Sequence, residues 1–125
     1  MDLTELTEAL KNTDEIEITV TGRASGRKIS NPVWFVQEGD KLYLLPVKGS
    51  DSDWYKNILK KRTMRLKANG KEWTTEVTPL TDQAKVRDIV EKFRRKYGAD
   101  QVKKYYSKFD VAVEVPLAEA HRRSA

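Results

Sequence analysis

Two dipeptides limit what this chain can fold into: Gly39-Asp40 and Asn69-Gly70. Each lies between runs of strand-forming residues. Asn-Gly suits a type I′ turn, and Gly-Asp is a second two-residue hairpin signal. A turn that short can join only antiparallel neighbours, because parallel strands need a long crossover. A doubly wound parallel sheet is therefore excluded. The flanking runs agree. Ile16, Ile18 and Val20 alternate with Glu17, Thr19 and Thr21, which predicts a half-buried strand. Val33 to Val36 is apolar on both faces and reads as a buried strand, and Lys41 to Val47 returns from the first turn. Met64, Leu66 and Ala68 alternate, Glu72 to Thr78 pairs back across Asn69-Gly70, and Val111, Val113 and Val115 form a sixth strand.

Helical spacing fills the gaps. Leu3, Leu6 and Leu10 predict a short helix over 3–11. Ser50 followed by Asp53 matches a capping box and opens a predicted helix over 51–60, with Trp54, Tyr55, Ile58 and Leu59 on one stripe. Thr81 can cap a helix carrying Val86, Ile89, Val90, Phe93 and Tyr97, which ends at Gly98. Asp100 can cap another that runs through Tyr105 and Tyr106, so most of 82–108 reads as helical. Gly22 to Ser30 is basic and glycine-punctuated, hence a loop, and 118–125 reads as a frayed tail. The predicted class is mainly β with flanking helices (α+β): one domain over 1–125, a six-stranded antiparallel barrel with helices packed outside.

Composition narrows the chemistry. The chain has no cysteine, so disulfides, thiolate metal sites and cysteine nucleophiles are excluded. Its one histidine, His121, stands in a charged stretch beside Arg122 and Arg123 and reads as solvated; no metal site is expected. No run approaches the ~18 apolar residues that a membrane span requires, and a cytoplasmic protein is expected. The net charge of +5 suits an anionic partner.

Three segments could carry function. Thr21 to Lys28 places Arg23, Arg27 and Lys28 with Ser25 around two glycines, where backbone N–H groups and guanidinium can meet a phosphate. An ordinary solvated turn explains the same residues. Pro46-Val47-Lys48-Gly49-Ser50 leads into a helix start, where Lys48 and the loop backbone suit an anion better than a first turn holding Asp51 and Asp53. A plain capped helix is the competing reading. The third feature is aromatic. Most of these rings are expected in the core, but Tyr97, Tyr105 and Tyr106 fall near helix ends, where a phenol can donate a proton or hydrogen bond into a pocket.

Together and in this order, Thr21-Gly22-Arg23-Ala24-Ser25-Gly26, Asn31-Pro32-Val33-Trp34-Phe35-Val36, Lys48-Gly49, Trp54-Tyr55-Lys56-Asn57-Ile58-Leu59 and the stretch from Tyr105 to Val115 resemble the deazaflavin-dependent nitroreductase family. That family belongs to the FMN-binding split-barrel superfamily, and the resemblance spans roughly residues 15–117. It implies a split barrel and a reduced deazaflavin, coenzyme F-420, that delivers hydride to a quinone or nitro compound. It implies that Arg23, Ser25, Arg27 and Lys28 line the cofactor phosphate, with Lys48, Gly49 and Asn57 completing the cradle. Pro46, Val47 and Trp54 count among the cofactor contacts. Asn31, Pro32, Val33, Trp34 and Phe35 would lie along the ring system, and the three tyrosines over the acceptor. Arg23, Lys28 and Lys48 are expected to converge on one anionic group. An FMN-binding oxidoreductase of the same fold is the alternative, and a small nucleic-acid-binding barrel, less favoured because the aromatics fall on core-facing positions, is the third. A homodimer is expected, from the habit of small split barrels and from the two apolar faces of 33–36.

Overall fold

The computed structural model describes residues 3–11 and 13–117. The chain runs α1 (Leu3–Lys11), β1 (Ile16–Thr21), β2 (Lys28–Val33), β3 (Phe35–Glu38), β4 (Lys41–Leu44), a 3-10 turn (Gly49–Asp51), α2 (Asp53–Lys60), β5 (Thr63–Ala68), β6 (Lys71–Glu76), β7 (Thr78–Leu80), α3 (Gln83–Tyr97), α4 (Ala99–Tyr105) and β8 (Ala112–Pro116). Its strands form two four-stranded sheets, ordered β2-β1-β5-β6 and β3-β4-β8-β7. Every pairing between these strands is antiparallel. Both two-residue turns are present: Glu38 pairs with Lys41, and Ala68 with Lys71. Asn69 and Gly70 take φ of 48° and 79°, the positive values that a type I′ turn demands.

Period-2 patterning decides which way the sheets face. Ile16, Ile18 and Val20 from β1 and Met64, Leu66 and Ala68 from β5 meet Phe35, Leu42, Leu44, Val113 and Val115 from the other sheet in one core. Trp54, Tyr55 and Ile58 of α2 join the same core. The outer face of β5, with Arg65 and Lys67, stays exposed. Strand β4 is buried on both faces. Its Tyr43 turns outward, with Val36 and Leu45, under Val86, Ile89, Val90 and Phe93 of α3 and Val102 of α4.

Several expectations are corrected. Among the described residues there are eight strands, not six. Strand β2 was expected to be loop as far as Ser30; it lies at a sheet edge, no residue of it is buried, and pairing with β1 rather than an apolar pattern holds it. The expected strand 33–36 is a corner: the chain leaves one sheet at Val33, turns at Trp34 and enters the other at Phe35. The expected strand 72–78 likewise breaks at Val77, and the short edge strand β7 follows it. Strand β4 stops at Leu44, short of Val47. The helix over 51–60 begins only at Asp53, after the 3-10 turn. Ser50 caps nothing, because its hydroxyl donates to Asp110 instead. Asp82, not Thr81, caps α3 by accepting from the Ala84 N–H. Gly98, not Asp100, precedes α4, and the helix ends at Tyr105. The second apolar face of 33–36, offered as a reason to dimerise, is covered within the chain by α3 and α4. The expected tail 118–125, with His121, lies outside the described residues. Among the described residues no helix is long and apolar enough to cross a membrane.

Candidate functional site

A cavity of about 760 Å³ opens beside the Trp34 corner. One wall comes from that corner: Asn31, Pro32, Val33 and Trp34, with Glu15 beside them. Tyr105, Tyr106 and Gln101 from the end of α4 form a second. The segment after β4 and the start of α2 form a third, with Leu45, Val47, Lys48, Asp51, Ser52, Asp53 and Trp54.

Each wall is braced from behind. The Trp34 ring stacks on Tyr97 with centroids 4.3 Å apart and an interplanar angle of 8°. Tyr105 meets it edge-on at 5.4 Å. Tyr97 is itself fixed. Its hydroxyl accepts from the Phe35 N–H at 3.1 Å and shares its proton between the carbonyls of Asp14 and Phe35, at 2.8 and 2.9 Å. The Lys96 ammonium also donates to the Phe35 carbonyl, at 2.8 Å. Tyr106 is buried against Phe93 and Phe109. Burial pushes the Tyr97 phenol up to about 12, and burial also pushes Tyr106 well above the ordinary phenol range. Both are protonated at neutral pH, so they serve as donors and not as bases.

The third wall is held by the segment before β8. The Asp110 carboxylate accepts from the Ser50 N–H at 2.9 Å through one oxygen and from the Ser50 hydroxyl at 2.5 Å through the other. The Lys108 ammonium bridges Asp51 at 3.1 Å and Asp110 at 3.6 Å. The Ser107 N–H donates to the Val47 carbonyl at 2.9 Å. Burial pushes the Asp110 carboxyl up, but the Ser50 hydrogen bonds and Lys108 outweigh it and hold the group below its ordinary value. Ser52 accepts from the Lys48 N–H at 2.8 Å, tightening the same segment.

A smaller hollow of about 360 Å³ lies next to the cavity, lined by Thr21 to Gly26 with Lys60 and Lys61. The turn closes on itself: Gly22 N–H donates to the Arg27 carbonyl, Gly26 N–H to the Gly22 carbonyl, and Arg27 N–H to the Ser25 hydroxyl. Buried Asn57 pins it from below, its Oδ1 accepting from the Arg23 N–H at 3.0 Å and the Arg23 guanidinium at 2.8 Å. Arg23 also pairs with Asp53 at 3.5 Å. Arg23 lines the hollow and Asp53 lines the cavity, so this pair joins the two linings.

The expected site residues divide accordingly. Asn31, Pro32, Val33, Trp34, Val47, Lys48, Trp54, Tyr105 and Tyr106 line the cavity, and Arg23 and Ser25 line the hollow. Asn57 supports the hollow through Arg23. Phe35, Pro46 and Gly49 are buried behind the walls, and Tyr97 stands behind Trp34. Arg27 and Lys28 are exposed outside both spaces, with Lys28 donating to the Thr21 hydroxyl. Arg23, Lys28 and Lys48 are not gathered at one point. Sequence reasoning passed over Glu15, Leu45, Ser52 and Gln101 in the cavity and Lys60 and Lys61 in the hollow, and it read Asp51 and Asp53 only as first-turn residues. Lys60 and Lys61 carried a signal, a pair of cations at a helix end; the others carried none. Among the described residues no group of His, Asp or Glu side chains could hold a metal ion.

Residues 5–115 match the family described as an uncharacterized protein conserved in bacteria (DUF2255). The chain belongs to this family. A search of curated proteins found no match. Among solved structures, an F420-H2-dependent reductase (FDR-A) is 20% identical, covering 82% of this chain and 93% of its own, with a TM-score of 0.63. A provisionally assigned 5-nitroimidazole antibiotic resistance protein from Bacteroides thetaiotaomicron VPI-5482 is 17% identical, covering 93% and 80%, with a TM-score of 0.68. A structure described as a domain-swapped dimer is 19% identical, covering 90% and 95%, with a TM-score of 0.65. These likenesses, all at 20% identity or less, carry the fold alone.

Proposed function

We propose that this chain is an oxidoreductase that binds a flavin-type cofactor, deazaflavin F-420 before FMN, and passes hydride to a small quinone or nitro acceptor. The observation that carries the reading is the join at Arg23–Asp53: an aromatic cavity large enough for a ligand of cofactor size sits beside a basic hollow. A planar ring with a phosphate tail needs that pair of environments. The residues present fit such a group. Trp34, Trp54, Tyr105 and Tyr106 offer flat apolar contact to a ring. Arg23, Ser25, Lys60 and Lys61 offer charge and donors to a phosphate. The likeness to an F420-H2-dependent reductase favours the deazaflavin.

When bound, the cofactor supplies the hydride chemistry. The chain's part is to bind, orient and exclude water. Tyr105 and Tyr106 line the cavity, where their phenols can donate a hydrogen bond to an acceptor oxygen. Tyr97 holds Trp34 in place from behind. We also propose a homodimer, on the likeness to a domain-swapped dimer and on the exposure of Ile29, Val47 and Tyr105; light scattering is expected to give twice the 14.4 kDa chain mass.

The test is optical. Purified protein is titrated with F-420 and with FMN while ligand and tryptophan fluorescence are followed, and reduced F-420 is then offered with menadione or a nitroimidazole. Micromolar F-420 binding and acceptor-dependent oxidation are expected. Binding of neither cofactor, with strongly salt-dependent binding to an oligonucleotide, would refute the reading and favour a nucleic-acid barrel.

A further inference from the structure

We propose that Asp110 is the positioning residue of the cavity: its carboxylate fixes the segment that carries Val47, Lys48 and Asp51 against the segment that carries Tyr105 and Tyr106, and so sets how far apart those walls stand. The proposal rests on the reading of the cavity as a ligand site. The two segments are far apart in sequence, and three sets of bonds join them. Both Asp110 oxygens hold Ser50, through its N–H at 2.9 Å and its hydroxyl at 2.5 Å. Lys108 ties Asp110 to Asp51. Ser107 donates to the Val47 carbonyl from its N–H at 2.9 Å and from its hydroxyl at 3.2 Å.

The backbone under the carboxylate is shaped for it. Gly49 takes φ of +56°, and a Cβ built there would lie 2.1 Å from Asp110 Oδ1. Any side chain at Gly49 would therefore displace the carboxylate as well as strain the turn. Asp110 is in turn anchored from α3, where the Gln83 amide donates to its carbonyl at 2.9 Å. A charge-assisted clamp of this kind is stronger than a neutral one and fixes direction as well as distance. Neither Ser50 nor Asp110 lines the cavity. Their effect on a ligand must pass through the walls they hold.

The experiment uses Asp110→Ala, Ser50→Ala, the double variant and Ser50→Thr, which keeps the hydroxyl. The first readout needs no cofactor: hydrogen exchange at the Ser107 amide, whose acceptor is Val47 and not Asp110. Both single alanine variants are expected to speed it about tenfold or more, with the amides of β1 unchanged. The second readout is the Kd for FMN and for F-420. Each single variant is expected to weaken binding about tenfold, the double variant no further than the weaker single, and Ser50→Thr is expected to bind like the parent chain. Unchanged Ser107 exchange overturns the proposal, and so do effects on Kd that multiply in the double variant. A parent chain that binds neither cofactor overturns the cofactor reading alone, because the exchange result still decides whether Asp110 positions the walls.

Discussion

Tyr97→Phe separates a structural phenol from a pocket phenol. The substitution keeps the ring, so the stack on Trp34 at 4.3 Å survives. It removes the hydroxyl that accepts from the Phe35 N–H and donates toward the carbonyls of Asp14 and Phe35. The Phe35 carbonyl keeps Lys96 as a donor, and the Asp14 carbonyl can turn to water. The Phe35 N–H has no such recourse, because Phe35 is only 1% exposed. Leaving a buried donor without an acceptor costs about 1–3 kcal/mol. For a chain of this size each kcal/mol moves the melting temperature by about 4 °C, so a loss of about 4–12 °C is expected. Differential scanning calorimetry at neutral pH measures it, with Tyr105→Phe as the control. Tyr105 is half exposed and is expected to stay within about 0.5 kcal/mol of the parent. A Tyr97→Phe protein that melts with the parent yet loses turnover would refute the reasoning, and would return Tyr97 to the acceptor pocket.

Arg23→Ala is expected to weaken FMN about 10- to 100-fold while leaving riboflavin, which lacks the phosphate, nearly unchanged, by fluorescence titration at fixed ionic strength. The melting cost should be small, since the Arg23–Asp53 pair is exposed and such pairs are worth about 0–1 kcal/mol; Arg87→Ala, on an exposed position of α3, should change neither. Stability should fall steeply in base. Tyr97 (to about 12), Tyr106 and Tyr55 are all raised, chiefly by burial, so the folded chain holds those protons after the unfolded chain has released them. Their stabilisation is complete below the unfolded value near 10 and is lost as pH rises through the folded values. Unfolding free energies from urea titrations between about pH 9 and 11.5 should drop by up to about 1.4 kcal/mol per pH unit for each phenol, and a flat profile would contradict the burial described. Gly70→Ala, at φ of 79°, is expected to cost about 1–2 kcal/mol in the same assay without affecting cofactor binding.

What was legible in the sequence is what two residues can decide locally. Asn69-Gly70 and Gly39-Asp40 fixed two hairpins, and the alternation of Ile16, Ile18 and Val20 fixed which side of β1 is core. The errors fall where a segment owes its state to a distant partner. Strand β2 shows no apolar period, because an edge strand with no buried residue is held by backbone bonds that composition does not record. Ser50 looked like a cap because Asp53 stood three residues on. Asp110, sixty residues away, claims its hydroxyl instead. The corner at Trp34 looked like continuous strand, since a ring stacked on Tyr97 from α3 satisfies the same apolar pattern that a sheet would.

The candidate site shows the same division between residue and partner, and charge makes the point most clearly. The chain's net charge of +5 suggested an anionic ligand but could not say where on the surface that ligand belongs. The cavity itself is not basic: Lys48 shares it with Glu15, Asp51 and Asp53. Two of those carboxylates are already answered from outside, Asp51 by Lys108 and Asp53 by Arg23. A bare phosphate would find little attraction among the aromatic walls. In the hollow, Arg23, Lys60 and Lys61 stand without a carboxylate in the lining. On the proposed reading, local charge rather than the total would sort the ring and the tail of one ligand into different spaces. The Arg23–Asp53 pair, which joins the two linings, then has a definite role to be tested. A phosphate arriving in the hollow competes with Asp53 for the guanidinium, so Asp53→Asn, by freeing Arg23, should tighten FMN and leave riboflavin unmoved. Weaker FMN binding in that variant would mean that Asp53 orients Arg23 for the ligand and does not compete with it.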